Sequence, residues 1–364
     1  MRTTKTIVIL CKYDPRPNRV GGMDLFFSMF NKKLLENNFS VIWMFHEFEY
    51  FDLYKNFDVK IPKKGESLAN LFIRYSSENN HIPDILITHF LETVNPFYKK
   101  CKQIGVKKIF TVDHMPRPLK GYSFQKKIKK RVKGFMYSKY TDKIIGVSRY
   151  IIKMTRIDYG TKSSKKVEVI HNGIDVQKFH FKKSFLNSFK TKFIVPTNLR
   201  PEKGIQDLIQ AVSLLDEDTK SKFCIDIYGT GTYEDELKHS VQEKKLEDII
   251  KFKGSTTQLP ELYYLYDYTI QPTYMEVFSL TLLESLASNV PVITTPVGGN
   301  LEVVTHKENG IIFNPKEVLE LKTIIYDVVN KKLQVKEKNT RELIESSFTI
   351  EQMVNKHFKL VQCI

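Results

Sequence analysis

Residues 272–299 read PTYMEVFSLTLLESLASNVPVITTPVGG and hold two glutamates, Glu276 and Glu284, with seven residues between them. Glu276 falls in a short loop, whereas Glu284 falls in a segment whose leucines recur at helical spacing. A β-branched run over 290–294 and the pair Gly298-Gly299 follow at once. This succession of loop, helix, strand and glycine turn predicts one unit of a parallel α/β domain with a carboxylate before its helix and another within it.

The start of that predicted helix is a candidate anion site. A helix that begins near Ser279 would present backbone N–H groups without intrahelical partners, together with the positive end of its dipole. Glu284 would lie about one and a half turns in, where its carboxylate can accept hydrogen bonds from vicinal ribose hydroxyls. Glu276 would precede the helix and could hold sugar hydroxyls. The alternative is a surface helix with two solvated glutamates.

The composition limits the class of protein. The 364 residues suffice for about two domains, and a hydrophobic fraction of 41% predicts packed cores rather than disorder. The four cysteines lie far apart and form no CxxC pair, which argues against a zinc site or a disulfide framework and for a reducing, cytoplasmic compartment. No apolar run reaches the roughly 18 residues that cross a bilayer. The net charge of +16 predicts an acidic partner: nucleic acid, an anionic membrane surface or phosphorylated substrates.

Short apolar runs alternate with amphipathic segments twice along the chain, which predicts two parallel sheets covered by helices. We therefore expect an α/β protein of two doubly wound, Rossmann-like domains, residues 1–185 and 186–345, facing across a cleft that holds the active site. Residues 178–190 are the expected linker, and residues 346–364 are expected to form a C-terminal helix that packs back toward the first domain. The predicted strands are 6–11, 40–45, 84–88, 108–112, 143–147, 167–170, 192–196, 223–228, 249–252, 268–271, 292–294 and 311–313.

A second candidate element is TNLRPEKG, residues 197–204, directly after the first predicted strand of the second domain. Arg200 and Lys203 place two cations at the carboxyl end of that strand, where a diphosphate would need counter-charges. A solvated turn with two ordinary surface cations is the alternative.

Two other patterns resemble ligand sites but lack the context. Asp216-Glu217-Asp218 matches an Asp-x-Asp metal pattern, yet it directly follows a helix predicted over 205–215, so we interpret it as a solvated loop and expect no metal requirement. Gly229-Thr230-Gly231 follows a strand, but Glu234 stands where the third glycine of GxGxxG belongs. A nicotinamide cofactor is therefore not expected.

The first domain carries two weaker signals. NRVGGMD, residues 18–24, follows the first strand, and Gly21 and Gly22 would permit close backbone approach to a ligand or a positive φ; a simple glycine turn is the alternative. TVDHMP, residues 111–116, puts Asp113 and His114 at the end of a strand, although a lone histidine is more often structural than catalytic.

A basic segment precedes residue 141. Phe124, Ile128, Val132 and Phe135 recur at helical spacing, and no Asp or Glu occurs from 114 to 141. One interpretation is a helix that docks on an anionic cytoplasmic membrane surface and contacts a lipid-phosphate acceptor; the other is a helix that packs its apolar stripe inward. Nucleic acid is not expected, because no binding module appears. The candidate docking cations are Lys126, Lys127, Lys129, Lys130, Arg131 and Lys133.

In their order and spacing the motifs resemble the family 4 glycosyltransferases, which have the GT-B fold and transfer sugars with retention. The resemblance covers nearly the whole chain. The matching segments are GG at 21–22, PDILITH at 83–89, DKIIGVS at 142–148, VIHNGIDVQKF at 169–179, NLRPEKG at 198–204, KFKG at 251–254, the E-x7-E element at 276–284, VGG at 297–299 and ENGIIFNP at 308–315.

The resemblance implies roles for the matching positions. Gly22 would lie against the donor phosphates, His114 near the donor sugar, and Lys203 on the diphosphate. Glu276 would hold the hydroxyls of the transferred sugar, and Glu284 the ribose. The backbone of four residues would complete the donor contacts: Val277, Phe278, Ser279 and Leu280.

The chain departs from the family pattern at three positions. Asn198 stands where the family often has an arginine, five residues before the motif lysine, and Arg200 is the nearby candidate to supply that charge. Val277 and Ser279 replace both glycines of the family's E-G-F-G run. These changes narrow the backbone conformations of the loop and leave the donor's identity open.

The resemblance implies a retaining glycosyltransferase that uses a UDP- or GDP-linked sugar as substrate, with no cofactor and no metal, and that acts on a glycan or lipid-linked hydroxyl in cell-surface polysaccharide or glycolipid synthesis. No covalent nucleophile is expected. Two other interpretations remain open: a nucleotide-sugar epimerase of the same fold, and a non-catalytic sugar-nucleotide-binding subunit. The chain is expected in the cytoplasm or at the inner face of the membrane.

Overall fold

The computed structural model describes residues 4–79, 81–160, 166–183, 190–335 and 339–362. The chain forms two compact units. Unit 1 comprises Met1–Asn172 and Ile350–Ile364, and unit 2 comprises Gly173–Thr349.

Unit 1 is built on a seven-stranded parallel sheet of order β3-β2-β1-β4-β5-β6-β7. The apolar run of β1 is buried along its whole length, as expected of a central strand covered on both faces. Its strands are β1 Thr6–Cys11, β2 Ser40–Phe45, β3 Asp58–Lys60, β4 Ile85–His89, β5 Lys108–Asp113, β6 Lys143–Gly146 and β7 Val167–Val169.

Helices connect the strands of unit 1. Four of them begin at a Ser or Asn whose side chain accepts a hydrogen bond from the first turn: Ser67, Asn95, Ser123 and Ser148. The helices are α1 Gly22–Glu36, α2 Leu68–Glu78, α3 Pro96–Gln103, α4 Phe124–Tyr137 and α5 Arg149–Tyr159.

Unit 2 is built on a six-stranded parallel sheet of order β10-β9-β8-β11-β12-β13. Its strands are β8 Thr191–Pro196, β9 Phe223–Tyr228, β10 Ile250–Gly254, β11 Tyr268–Gln271, β12 Val292–Thr294 and β13 Gly310–Ile312. Its helices are α6 Ile205–Ser213, α7 Glu217–Ser221, α8 Glu234–Glu243, α9 Leu280–Ala287, α10 Val318–Val329 and α11 Arg341–Ser347. The expectation of two doubly wound parallel sheets is confirmed.

The last helix, α12 Ile350–Gln362, packs on α1 within unit 1. The ring of His357 lies 4.9 Å from the ring of Phe26, and Lys33 Nζ donates a hydrogen bond of 2.6 Å to Asn355 Oδ1. The chain therefore leaves unit 1 at Asn172 and returns to it at Ile350.

The linker prediction needs correction. Ile174 pairs with Thr349 inside unit 2, so this unit begins about a dozen residues before the predicted boundary at 185. Lys182 is buried, and its Nζ donates to the carbonyl of Tyr266 at 2.6 Å and to Asp267 Oδ1 at 2.7 Å. Lys182, which lies in the expected linker 178–190, is thus anchored inside unit 2; residues 184–189 lie outside the described residues.

One other local expectation was wrong, and one short strand was not predicted. Asp216 does not start a solvated loop: it caps α7, with Oδ1 accepting from Thr219 N at 2.8 Å. The short strand β3 was not predicted, because its three residues carry too little apolar pattern. No helix within the described ranges is long and apolar enough to span a bilayer.

Candidate functional site

The candidate site of unit 2 lies where the order of its sheet reverses. From β8 the chain moves outward to β9 and β10, and it then returns to the other side of β8 to form β11, β12 and β13. Parallel α/β sheets bind ligands at the carboxyl ends of the strands at such a reversal. The loops that follow β8 and β11 carry Lys203 and Glu276, respectively.

These two loops are locked together by backbone contacts. The N–H of Tyr274 donates to the carbonyl of Glu202 at 2.8 Å, and Thr273 Oγ1 donates to the same carbonyl at 3.3 Å. Gly204 has a φ of +73°, and a Cβ at this position would lie 2.0 Å from the carbonyl oxygen of Pro272. Only glycine fits there, so the last residue of the NLRPEKG motif is explained by the close approach of the two loops.

Lys203 and Glu276 form an ion pair. Lys203 Nζ donates to Glu276 Oε2 at 2.9 Å, and the two side chains are 21% and 18% exposed. The other carboxylate oxygen of Glu276 accepts a hydrogen bond of 3.0 Å from the N–H of Val277. The structure therefore brings together the two residues that were predicted to bind the diphosphate and the sugar, and it keeps both within reach of solvent.

Helix α9 begins next to this pair, as predicted. Ser279 is its N-cap, with Oγ accepting from Leu282 N at 3.4 Å and from Gln271 Nε2 at 2.7 Å. No acidic residue lies in the first turn, so nothing in that turn competes with an anion for the N–H groups of Leu280 and Thr281. Ser279 has a φ of −79°, so the serine in place of a family glycine is unstrained and serves as a cap.

The glycine turn after β12 supports the same loop. Gly298 has a φ of +61°, and a Cβ there would lie 2.1 Å from the carbonyl oxygen of Glu276. The N–H of Gly299 donates to the carbonyl of Val277 at 2.9 Å. Val277 and Phe278 are themselves buried, so they contribute backbone and packing rather than exposed side chains. The carboxyl ends of three adjacent strands thus meet around Glu276.

Glu284 is held by a tyrosine that sequence reasoning missed. Tyr263 is buried, and its OH donates to Glu284 Oε2 at 2.8 Å. Burial raises the pKa of the Glu284 carboxyl, and the Tyr263 hydrogen bond opposes that rise. Tyr263 belongs to the run YYLY, in which nothing singles out one tyrosine as the partner of a carboxylate 21 residues away.

The remaining candidate cation of unit 2 lies largely in solvent. Arg200 is 59% exposed, and its Nη1 lies 3.9 Å from Glu202 Oε1. The carbonyl of Asn198 accepts from the N–H of Arg200 at 3.0 Å. The Gly229–Gly231 turn is tied to the loop after β8, since Leu199 N donates to the carbonyl of Thr230 at 3.0 Å.

In unit 1 the two predicted glycines stand at the start of α1, with Gly21 as the N-cap and Gly22 as the first helical residue. Neither has a positive φ, so a left-handed backbone conformation is not the reason for glycine at these two positions. The N–H of Gly21 donates to Asp24 Oδ2 at 2.8 Å, and a Cβ at Gly21 would meet only Asp24 Oδ2, at 3.8 Å. The fold therefore leaves room for a side chain at Gly21, and the packing of unit 1 does not require glycine there.

His114 lies just beyond the carboxyl end of β5, buried against a second histidine. The Nε2 of His114 is 3.1 Å from the Nδ1 of His89, at the end of the neighbouring strand β4, and Phe90 stacks on its ring at 4.2 Å. Burial lowers the pKa of His114 to about 3 and the pKa of His89 well below its ordinary value. Both rings are therefore neutral near pH 7, and one N–H serves the contact between them.

Helix α4 exposes its apolar stripe. Phe124 is 77% and Phe135 is 67% exposed, and Ile128 and Val132 are about half exposed. The reason is that α4 packs through another face: a Cβ on Gly134 would lie 1.9 Å from the carbonyl oxygen of Tyr159 in α5. The interpretation in which the stripe packs inward is wrong. Five of the six predicted cations on this helix are solvent-accessible, whereas Lys130 is buried.

Within the described part of the chain, no group of three or more histidine, cysteine, aspartate or glutamate side chains could hold a metal ion.

Both halves of the chain match known families. Residues 20–178 match the family model described as Glycosyltransferase Family 4, and residues 176–347 match the model described as Glycosyl transferases group 1. Together these matches cover residues 20–347, and the chain belongs to the family 4 glycosyltransferases.

The chain is also similar to individual curated proteins. The glycogen synthase of Mycobacterium tuberculosis is 28% identical over 45% of this chain and 40% of its own length. An uncharacterised glycosyltransferase of Methanocaldococcus jannaschii is 25% identical over 85% of both chains. The matched region spans about 40% of the length of the first of these relatives.

Among solved structures, HepE of Anabaena in complex with UDP has a TM-score of 0.79 at 17% identity, over 99% of this chain and all of that one. The same protein in complex with UDP-glucose has a TM-score of 0.77 at 18% identity, over the same shares of the two chains. At this identity the likeness shows the fold, which is GT-B.

Proposed function

We propose that the chain is a retaining glycosyltransferase that moves a hexose or related sugar from a nucleotide-diphosphate donor to a hydroxyl acceptor. The observation that carries this proposal is the ion pair of Lys203 and Glu276, 2.9 Å apart, beside the capped start of α9 at the reversal of the sheet. It combines a fixed cation, a helix dipole and a carboxylate at one edge.

The arrangement fits the charge that develops during transfer. The bond between the anomeric carbon and the phosphate oxygen breaks, and its electron pair leaves with the diphosphate. The acceptor oxygen bonds to the same face of the anomeric carbon, and its proton passes to the leaving phosphate oxygen. Lys203 and the first turn of α9 stabilise the departing negative charge, which is the contribution that usually dominates such catalysis; Arg200 supplies a further, exposed charge. No enzyme nucleophile is required.

Donor binding would exchange one partner of Lys203 for another. The diphosphate replaces the Glu276 carboxylate on Lys203 Nζ, and the carboxylate then accepts hydrogen bonds from sugar hydroxyls. Glu284, oriented by Tyr263, accepts the ribose hydroxyls. Because cationic groups of the protein neutralise the diphosphate, we propose that no metal is needed. For unit 1 we propose the roles that the resemblance implies, phosphate contact for Gly21 and Gly22 and sugar contact for His114.

We also propose which nucleotide the donor carries and in which kind of process the transfer takes place. HepE binds UDP and UDP-glucose, which favours UDP over GDP in the donor of this chain. The acceptor is a glycan or lipid-linked hydroxyl in cell-surface polysaccharide or glycolipid synthesis. The exposed apolar stripe and the cations of α4 support a location at the inner face of the membrane, where each well-placed cation contributes about 1 kcal/mol of attraction to anionic lipid.

A panel of nucleotide sugars tests the proposal. Thermal shift against UDP-, GDP- and ADP-sugars identifies the donor, and slow hydrolysis of that donor without an acceptor supports a transferase. Conversion to a different nucleotide sugar would instead identify an epimerase, and binding without turnover a non-catalytic subunit. The hydrolysis should persist in EDTA.

A matched pair of variants locates the chemistry. Glu276→Ala should nearly abolish donor hydrolysis, because it removes the carboxylate that holds the sugar. Glu247→Ala, at an exposed position of the same unit, should leave it unchanged. Full hydrolysis by the Glu276→Ala protein would remove this assignment.

A further inference from the structure

Unit 1 contains a cavity of about 370 Å³ on one side of α4. Its lining includes Ser123, which caps the helix, Gln125, and Glu92 from the loop after β4. Four lysines of α4 form the rest of its wall: Lys126, Lys129, Lys130 and Lys133. One carboxylate therefore faces four ammonium groups.

Neighbouring carboxylates neutralise only part of this charge. Lys133 Nζ pairs with Glu92 Oε2 at 2.6 Å. Lys130 Nζ lies 3.2 Å from Asp158 Oδ2, but that oxygen also accepts a hydrogen bond of 2.8 Å from Arg117 Nε. Among the described residues no carboxylate lies within ion-pair distance of Lys126 or Lys129. The cavity wall therefore carries a net positive charge.

Lys130 is the buried member of the group. Its ammonium donates to Asp158 Oδ2 and to Tyr159 OH, both at 3.2 Å, which uses two of the three hydrogen bonds that it can make. The rings of Tyr122 and Tyr159 lie 4.8 and 4.6 Å from the same nitrogen. Burial lowers the pKa of Lys130, and an anion in the cavity would offset that desolvation.

The exposed stripe indicates where the anion comes from. At 100° per residue, the lysines at 126, 129 and 133 occupy the helix face beside the one that carries Ile128, Val132 and Met136. These three side chains are each about half exposed, at 47%, 50% and 48%. A basic face beside an apolar one is the arrangement that places a helix in the interface of an anionic membrane. Charge and apolar surface thus favour a lipid over a soluble anion.

We propose that this lysine cavity binds the phosphomonoester headgroup of a membrane lipid while the apolar stripe of α4 enters the interface. A phosphomonoester carries about −1.5 to −2 charges and three terminal oxygens near pH 7, against one charge and two terminal oxygens for a phosphodiester. Lys126, Lys129 and Lys130 offer three ammonium groups to such a headgroup. The inference deepens the membrane location proposed above and rests on it.

Vesicle sedimentation of the full chain tests the cavity. Vesicles of phosphatidylcholine with phosphatidic acid, a phosphomonoester, are compared with vesicles that contain enough phosphatidylglycerol, a phosphodiester, to match the surface potential. The wild type should prefer phosphatidic acid. Lys126→Gln/Lys129→Gln should lower the partition coefficient on phosphatidic acid by about fivefold for each lysine, the factor that corresponds to about 1 kcal/mol, and should erase the preference.

The chain offers a matched control on the same helix. Lys127→Gln/Arg131→Gln removes the same charge from positions that do not line the cavity, so binding should weaken on both vesicles while the preference for phosphatidic acid remains. Equal effects of the two double variants, or no preference in the wild type, would overturn the proposal in favour of diffuse attraction. Full competition by soluble glycerol 3-phosphate at the lipid's own concentration would overturn the lipid as the source.

Donor hydrolysis, measured without vesicles, separates this proposal from the proposed function. Intact hydrolysis in a protein that does not select phosphatidic acid refutes the cavity alone. Selective binding by a protein that hydrolyses no donor refutes the transferase alone. Melting temperatures of both double variants close to that of the wild type confirm that the substitutions at these exposed positions preserve the fold.

Discussion

The charged groups at the carboxyl edges of the two sheets differ in their exposure to solvent. In unit 2 the loops after β8, β11 and β12 present Lys203 and Glu276 in partial contact with solvent. In unit 1 the buried rings of His89 and His114 lie at the ends of β4 and β5, and Phe90 stacks on the ring of His114. The edge of unit 2 thus keeps its charged pair in partial contact with solvent, whereas in unit 1 the carboxylate of Asp113, at the end of β5, is buried and paired with Arg117 at 2.7 Å.

The largest effect is expected when the lysine of the unit 2 site is removed. Lys203→Ala should lower the rate of donor hydrolysis by about 10²–10³, the usual cost of losing one group that stabilises a developing negative charge. The melting temperature should change little, because the side chain is partly exposed. Lys251→Ala, which removes an exposed lysine from β10, is the control. Similar rates of donor hydrolysis for the two variants would show that Lys203 does not stabilise the departing diphosphate.

The second prediction concerns the stability of unit 1 and its buried histidines at acid pH. Burial lowers the pKa of His114 to about 3 and that of His357 to about 4, and it lowers the pKa of His89 well below its ordinary value. Unfolded histidine titrates near about 6.5, so the unfolded state binds protons that the folded state excludes. The contribution of these histidines to the free energy of unfolding of unit 1 should therefore be fully present above about pH 6.5. It should be lost as the pH falls toward 4, which lowers that free energy by about a few kcal/mol.

Trp43 makes this measurement specific to one unit. It is the protein's single tryptophan and is fully buried in β2 of unit 1, so its fluorescence reports the unfolding of that unit. The urea midpoint should decrease between pH 7 and pH 4.5, and less steeply in a His114→Gln protein. A midpoint that does not depend on pH would contradict the neutral histidine cluster.

A third prediction concerns the support of the charged edge. Gly298→Ala should destabilise unit 2 by about 1–3 kcal/mol and reduce donor hydrolysis, because the new methyl group would displace the carbonyl of Glu276. Gly254→Ala is the control: its φ is also positive, at +69°, but no heavy atom lies within 4 Å of the added Cβ. If both variants lose the same stability and activity, backbone strain alone is the cause and the close contact at Glu276 is irrelevant.

The smallest predicted effect concerns Tyr263→Phe, which removes the hydrogen bond to Glu284 and keeps the packing. Affinity for the nucleotide should fall by about fivefold, as expected for a hydrogen bond worth about 1 kcal/mol, with little change in the rate at saturating donor. Isothermal titration with UDP measures the affinity, and Tyr264→Phe provides the neighbouring control. An unchanged affinity would mean that Glu284 needs no positioning.

Much of the local structure could be predicted from the sequence. The predicted bounds of β1, β2, β9, β11 and β12 agree with the structure to the residue, because buried parallel strands are continuous apolar runs that end at polar or glycine residues. Helix α9 begins next to Ser279, where the leucine spacing predicted its start. Helix α4 was also identified, because its apolar residues recur every three or four positions.

The features that the sequence did not predict involve side chains or backbone whose partners are distant in sequence. Lys182 lies in the segment that was predicted to be a linker, but Asp267, 85 residues away, holds its ammonium group inside unit 2. The partner of His114 could have been suspected, since His89 ends the adjacent strand and the carboxyl ends of parallel strands share one edge. The outward direction of the α4 stripe had no such signal, because it depends on Gly134 meeting the backbone of α5.

The sequence by itself determined the family, the alternation of strands and helices, and the residue types available at the candidate donor site, because motif order and apolar period are properties of neighbouring residues. Only the tertiary structure decided that Lys203 and Glu276 pair, that Tyr263 orients Glu284, and that four lysines share one cavity. Those contacts depend on the order of strands in the sheets and on the close approach of backbones at Gly134, Gly204 and Gly298, which no local pattern encodes.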